Sequence, residues 1–286
     1  MTTEYLSPRP HGGTPAKAVP PGACDCHAHV FGDSRYPMLA TRGYTPPKAD
    51  LAMYRAMLAG LGFERMVLVQ PSVYGTDNRC MLDALDSIKD DSARGVAVVG
   101  SSVTAEELKA MDAVGVRGLR FNALTPGGTA MAELPDLASR IADLGWHIQL
   151  WVTSETVAQL APVLRALPVD IVLDHMAPLS VDPALMASQF ELLQRLLEGG
   201  RTWVKLSAYR ASEEGYPYND VRVPLKRLID GWHERCVWGS DWPHPMLADH
   251  MPYDSELLDL LDSCIDHVDV RHNILVDNPA RLYGFT

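Results

Sequence analysis

The stretch CDCHAHVFG, residues 24–32, places two histidines two positions apart in an otherwise apolar run near the start of the chain. In a strand, side chains alternate between two faces, so Asp25, His27 and His29 are predicted to share one face. Two neighbouring imidazoles are costly to bury without polar partners, which indicates a metal site, a proton-transfer site or a polar substrate pocket. Two structural histidines bonded to backbone carbonyls explain this stretch, taken alone, equally well.

The composition narrows the class of protein and of partner. With 286 residues, 47% hydrophobic and 21% charged, the chain is predicted to be a globular protein with a sizeable core. Its formal net charge of -11 argues against nucleic acid or an anionic membrane as partner, so an anionic substrate would need locally placed arginines.

The expected location is the cytoplasm. The start of the chain lacks the apolar run of a signal peptide, and no apolar run approaches the roughly 20 residues that a membrane span needs. Five cysteines without C-x-x-C spacing suit reduced thiols better than a disulfide framework.

Short β-branched runs alternate with stretches of helical periodicity after a Pro- and Gly-rich start. Residues 1–22 are predicted to be an extended tail, and residues 23–286 a single domain. Thr104 is a predicted helix N-cap, with Glu107 as its capping-box partner and Gly115 as the stop. The eight candidate strands begin near residues 23, 65, 93, 116, 147, 170, 202 and 236.

Eight strands that alternate with helices predict an α/β fold, a single-domain (β/α)8 TIM barrel, better than an open doubly wound sheet. A dinucleotide-binding fold is poorly supported, because no G-x-G-x-x-G motif follows the first strand. In such barrels the carboxyl ends of the strands face the active-site mouth, whereas the amino ends serve packing.

This positional rule sorts the histidines. His27 and His29 lie late in the first strand, His175 closes the sixth, and Asp241 closes the eighth, so these four are predicted to converge. His147 begins the fifth strand and is predicted to be structural. His11, His233, His267 and His272 fall in the tail or in helical stretches and are predicted to be solvated. His244 and His250 lie in the loop after strand eight and could rim the pocket, but a solvated or capping role is expected.

The four converging residues are compatible with two kinds of chemistry. Three imidazoles and a carboxylate could complete a tetrahedral site for one divalent ion, zinc first of all, or leave a position open if Asp241 acts as a base. Without a metal, the imidazoles could polarise a carbonyl while Asp241 takes a proton from water. The expected cofactor is therefore none, or one divalent metal ion.

The chain resembles the amidohydrolase superfamily along nearly its whole length after the tail. Within it, the likeness is to the 2-pyrone-4,6-dicarboxylate lactonase branch, which also includes 4-sulfomuconolactone hydrolases and sugar-acid lactone enzymes. The segments that carry the resemblance are DCHAHVFG, LVQPS with GTDNR, GVRGLRFN, LDHM, WVKLSAYR, WGSDWPHP and DNPARLYGF. The resemblance implies a barrel that opens cyclic esters with water, in the catabolism of aromatic or sugar acids. It assigns the catalytic positions to His27, His29, His175 and Asp241.

Departures from the superfamily pattern bear on the metal. Binuclear members place a bridging lysine on strand four and a histidine on strand five, whereas this chain has Arg120 with Asn122, and Trp151, at those strand ends. A bridged two-metal centre is therefore not expected. The lactonase branch includes members that work without metal.

The arginines bear on the substrate. Arg120 and Arg210 are predicted to bind the substrate anion in a two-pronged fashion, and Tyr44 and Trp151 to line the pocket. Enzymes for the pyrone dicarboxylate have further arginines where this chain reads HMAPL and NALTPGG. The sequence thus favours a lactone with one carboxylate or a different second anion.

The predicted function is hydrolysis of a small anionic lactone. A lactone isomerase or decarboxylase on the same barrel and a non-catalytic carboxylate-binding protein stay as alternatives.

Overall fold

The computed structural model describes residues 5–286, so the first four residues of the predicted tail lie outside the described part. Eight parallel strands pair in chain order from first to last, which confirms the predicted (β/α)8 barrel. The strands are β1 (Cys24–Ala28), β2 (Arg65–Val69), β3 (Ala93–Ala97), β4 (Val116–Asn122), β5 (His147–Trp151), β6 (Ile171–Leu173), β7 (Thr202–Lys205) and β8 (Cys236–Val237).

Helices cover the outside of the barrel. The predicted capping box is present before the third helix: the Thr104 hydroxyl accepts from the Glu107 amide, and the Glu107 carboxylate accepts from the Thr104 amide. No helix within residues 5–286 is long and apolar enough to cross a membrane. The helices are α1 (Leu51–Leu61), α2 (Arg79–Ser87), α3 (Ala105–Ala113), α4 (Leu134–Ile141), α5 (Ser154–Ala166), α6 (Pro183–Leu197), α7 (Arg222–Trp232), α8 (Asp254–Asp262), α9 (Val268–His272) and α10 (Asn278–Tyr283).

Backbone hydrogen bonds between β1 and the segment after β8 close the barrel. The Cys26 amide donates to the Trp238 carbonyl (3.0 Å), the Asp241 amide to the His27 carbonyl (2.8 Å), and the His29 amide to the Trp242 carbonyl (2.7 Å). Closure therefore brings Asp241 directly beside the two histidines of the first strand.

The strict side-chain alternation predicted for the first strand is wrong. The pairing of β1 with β2 shifts register between Asp25 and Ala28, as a bulge does. As a result Asp25 accepts a hydrogen bond from Tyr54 of α1 (2.9 Å), whereas Cys26 packs inside the barrel. Of the three residues expected on one face, only His27 and His29 lie together.

The described part of the tail lies along the rim of the barrel mouth. The Leu6 amide donates to the Leu247 carbonyl (2.8 Å), and the Arg9 guanidinium donates to the Met251 carbonyl (2.9 Å). The rings of Tyr5 and Tyr44 meet edge to face with centroids 6.4 Å apart. Residues 5–9 thus support the loop after β8 and one wall of the mouth.

Candidate active site

A small cavity lies at the carboxyl ends of the strands. Seven of the eight predicted site residues line it, and the eighth, His27, lies beneath it with 0% exposure. The structure therefore brings the predicted set together at the mouth. The lining residues are His29, Tyr44, Ser72, Arg120, Trp151, His175, Arg210, Asp241, Pro245 and Met246.

Three of these residues have a backbone conformation that side chains with a Cβ rarely adopt. His175 follows β6 with φ 48°, and Asp241 and Met246 lie after β8 with φ 59° and φ 69°. Such left-handed residues cost on the order of 1–3 kcal/mol each and persist only where the surroundings hold them. The mouth is therefore a place where the fold tolerates local strain, as functional sites commonly do.

Three acceptor atoms converge below the cavity. His27 Nε2 lies 3.3 Å from His29 Nε2, and Asp241 Oδ1 lies 3.5 and 3.4 Å from these two nitrogens. His29 Nδ1 is 2.7 Å from the Val69 carbonyl, so it carries the ring hydrogen and leaves Nε2 as an acceptor. Ligand atoms of a tetrahedral zinc ion lie about 3.3–3.4 Å apart, given bonds of about 2.0–2.1 Å. The residues thus fit one ion of this type.

The Asp174 carboxylate, which the sequence analysis did not single out, occupies the floor of the site. Gln149 Nε2 donates to it (3.0 Å), and Arg120 Nε (3.4 Å) and Lys205 Nζ (3.6 Å) lie close to its oxygens. Burial raises the pKa of Asp174, but the contacts with His27 and the charges of Lys205 and Arg120 outweigh it and hold the pKa well below its usual range. The Asp174 carboxylate therefore already lies among positive and hydrogen-bond-donating groups.

A second possible ligand group, formed by His27, Asp174 and His175, shares His27 with the first. Because Asp174 is paired with Lys205 and Arg120, this group is the weaker of the two for a cation. Neither Asp174 nor Lys205 was predicted to lie in the site, although the sequence contains a signal for each. Asp174 follows β6 directly and precedes His175, and Lys205 is the last residue of β7. The positional rule, applied to all polar residues rather than to histidines and arginines, finds them.

The two oxygens of Asp241 have different surroundings. Oδ1 faces the histidines, whereas Oδ2 accepts hydrogen bonds from the Tyr209 hydroxyl (2.8 Å) and from Arg210 Nε. Burial raises the pKa of Asp241, but the Arg210 charge and the nearby histidines outweigh it, so the pKa lies well below its usual range. Asp241 is therefore an ionised acceptor throughout the neutral range. Arg210 also donates to the Pro245 carbonyl (2.7 Å), which fixes its orientation.

His175 and Arg120 line the side of the cavity next to Trp151. The Arg120 guanidinium lies 5.3 Å from the Trp151 ring, and the His175 ring meets the same indole edge to face at 5.7 Å. Burial, aided by the two nearby arginines, lowers the pKa of His175 to about 4 despite the opposing carboxylates. A neutral His175 and a charged Arg120 thus face the cavity together.

The loop histidine His244 is buried, contrary to the expectation from the sequence. It is 1% exposed and contacts Asp254 and Tyr209, so the expected solvated or capping role is wrong. Its burial depends on α8 and on a turn after β7, which the local sequence does not reveal. His147 packs edge to face on Tyr283 with ring centroids 5.3 Å apart, and it does not line the cavity.

Fold and site together define a (β/α)8 barrel with a histidine-aspartate centre at its mouth and two arginines beside it. A family model described as Amidohydrolase matches residues 24–285, and the chain belongs to this family. A 2-pyrone-4,6-dicarboxylate hydrolase of Comamonas testosteroni is 38% identical over 282 residues, which cover 94% of this chain and 92% of that protein. A 4-sulfomuconolactone hydrolase of Rhizobium radiobacter is 35% identical over 285 residues, 97% of this chain and 95% of that one.

Among solved structures, one from Agrobacterium tumefaciens matches with a TM-score of 0.88 at 26% identity, over 97% of this chain and 99% of that chain. The resemblance drawn from the sequence motifs is thereby confirmed.

Replacing Arg210 with leucine should shift the acid limb of kcat to higher pH. The variant loses the charge that holds the pKa of Asp241 below its usual range, so that pKa should rise, and activity should fall earlier as the pH drops. Arg120→Leu is the matched control, because Arg120 contacts Asp174 rather than Asp241. If the acid limb of kcat lay at the same pH in Arg210→Leu and Arg120→Leu, the effect of the Arg210 charge on the pKa of Asp241 would be contradicted.

Gly239 should be essential for the position of His27. A Cβ at residue 239 would lie 2.6 Å from the Cβ of His27, too close without displacement of the first strand. We expect Gly239→Ala to lower kcat/KM at least about tenfold, as a misplacement of reacting groups does. Gly231→Ala, where a Cβ meets nothing within 4 Å, serves as control. Equal kinetics of both variants and the parent would argue against the packing constraint.

Proposed function

We propose that the protein hydrolyses a small lactone that carries one carboxylate. The observation that carries this proposal is the cavity that joins an ionised Asp241 with imidazoles and with the side chains of Arg120 and Arg210. Family membership and the two lactone hydrolases among the relatives support the reaction type.

The charges at the mouth favour a monoanion. Three cationic groups (Arg120, Arg210 and Lys205) face two carboxylates (Asp174 and Asp241), so with neutral rings the buried cluster carries an excess of one positive charge. Unbalanced buried charge is costly, and a substrate carboxylate offsets it. The residues after β6, where a further arginine would bind a second carboxylate, are the apolar Met176 and Ala177.

The hydrogen bonds of the imidazole rings indicate what His27 and His29 can bind. His29 donates through Nδ1 to the Val69 carbonyl, and His27 Nδ1 faces Asp174 Oδ1 at 3.4 Å, so both rings present Nε2 as an acceptor. Together with Asp241 Oδ1, they suit a water molecule that has two hydrogens to donate. We assign Asp241 as the base that takes a proton from this water, and His27 and His29 as the groups that orient it.

The lactone carbonyl then accepts hydrogen bonds from donors on the other side of the cavity. A neutral His175 and the Arg120 guanidinium can both donate to the oxygen on which negative charge develops. This division refines the hypothesis from the sequence, in which all three imidazoles polarise the carbonyl. Arg210 is fixed by Asp241 and Pro245, so it holds the substrate anion in one orientation.

The same acceptor atoms of His27, His29 and Asp241 would hold a single divalent ion, for which zinc is our choice, with His175 as a further candidate ligand. Such an ion would supply Lewis-acid activation of the carbonyl or of water. We propose at most one ion per chain, because Asp174 is paired with cations, and we propose that the ion is not required, because Lys205 and the arginines already supply positive charge.

The function is tested with a panel of lactones that carry no, one or two carboxylates, followed by acid release and by the mass of the product. We expect turnover of a monocarboxylated lactone with addition of one water. In Asp241→Asn, kcat should fall about a hundred- to ten-thousandfold while the fold is retained, because the base is lost.

Each alternative has its own outcome in this experiment. A product of unchanged mass indicates an isomerase, loss of carbon dioxide indicates a decarboxylase, and tight binding of a carboxylated lactone without any product indicates a binding protein. Near-normal turnover by Asp241→Asn would refute the assignment of the base.

Thorough chelation should leave at least about a tenth of the starting activity, a loss of no more than roughly 1.4 kcal/mol in the barrier. Elemental analysis of the protein before and after chelation checks the metal content, with an expected maximum of one ion per chain. Two tightly bound ions, or a complete loss of turnover that added zinc restores, would contradict the proposal.

A further inference from the structure

A chain of buried hydrogen bonds leads from Asp241 away from the cavity. The Tyr209 hydroxyl donates to Asp241 Oδ2 (2.8 Å), and its oxygen lies 3.3 Å from His244 Nδ1. On the other side of the ring, His244 Nε2 lies 3.0 Å from Asp254 Oδ1. All four residues are at most 5% exposed, so no bulk water competes for these contacts.

The chain joins three separate elements behind the site. Tyr209 lies in a short turn after β7, His244 in the loop after β8, and Asp254 is the first residue of α8. His244 has φ 58°, a left-handed conformation that its contacts must stabilise. Neither the reaction proposed above nor the cavity lining uses His244 or Asp254, and a polar pair buried this fully needs a reason.

The direction of the hydrogen bonds follows from the chemistry of the two ends. The Asp254 carboxylate oxygen accepts, so His244 Nε2 donates to it. Asp241 also accepts, and it takes the single hydrogen of Tyr209. For Nδ1 of His244 to form a favourable contact with the tyrosine oxygen, it must donate as well. The ring then carries a hydrogen on both nitrogens, one directed at the Asp254 carboxylate and the other at the Tyr209 oxygen.

We propose that His244, held by Asp254, is a positioning residue that acts on Asp241 through Tyr209. The His244 ring orients the tyrosine oxygen, the tyrosine hydroxyl holds Oδ2 of Asp241, and the carboxylate is thereby fixed with Oδ1 towards His27 and His29. A base held in one rotamer reacts without first losing rotational freedom, which is the gain expected from such support. The inference rests on the proposed role of Asp241.

Kinetics of the whole protein test this role through the variants His244→Leu, Tyr209→Phe and their combination. Each single variant should lower kcat about tenfold and leave KM within about twofold, because the cavity lining is intact. If His244 acts through Tyr209, the double variant is no slower than Tyr209→Phe alone. Losses that multiply in the double variant, or a change confined to KM, would overturn the proposal.

His250→Leu is the matched control, since His250 lies in the same loop but stacks on Tyr216 outside this chain of hydrogen bonds. Its kcat should equal that of the parent.

A second measurement needs no turnover and remains informative if a variant fails to fold. In the unsubstituted protein, nitrogen NMR of labelled histidines at neutral pH should show a His244 ring with hydrogens on both nitrogens, and one ring nitrogen without hydrogen would overturn the proposal. If no lactone is turned over, the proposed function fails, whereas the NMR result still decides whether the hydrogen-bonded chain exists.

Discussion

The site depends on a carboxylate that has no access to water. Asp174 is 1% exposed, and removal of a carboxylate from water costs several kcal/mol unless cations and donors replace the solvent. Lys205, Arg120 and Gln149 fill that role from β7, β4 and β5. The same carboxylate faces His27 Nδ1, so it also determines which nitrogen of that ring is presented to Asp241.

Barrel closure and assembly of the site involve the same residues. The backbone groups of His27, His29 and Asp241 form the hydrogen bonds that join β1 to the segment after β8, while their side chains converge below the cavity. The close approach of Gly239 to His27 belongs to this seam. A change that opens the seam therefore separates the base from the histidines even where no site residue is replaced.

The sequence predicts the part of this arrangement that depends on local pattern. Alternating strands and helices indicate the barrel, and the carboxyl-end rule brings His27, His29, His175 and Asp241 together. The bulge in β1 is not predictable from alternation, because it is set by pairing with β2. Burial of His244 is equally hidden, since it requires packing of the loop after β8 against α8.

The contacts at the rim of the mouth are not predictable from the sequence for the same reason. A Pro- and Gly-rich tail has no periodicity that a pattern can reveal, yet Leu6 and Arg9 bond to the loop that carries Met246 of the cavity. Contacts between residues more than two hundred positions apart follow from the folded barrel and from nothing local.

A crystal structure of Asp241→Asn with a monocarboxylated lactone bound tests the proposed division of roles most directly. We expect the substrate carboxylate between Arg120 and Arg210, the lactone carbonyl oxygen within hydrogen-bond distance of His175, and a water molecule at His27 and His29 on the opposite face of the carbonyl. A lactone bound with its ester remote from the histidines, or a carboxylate that contacts neither arginine, would contradict it.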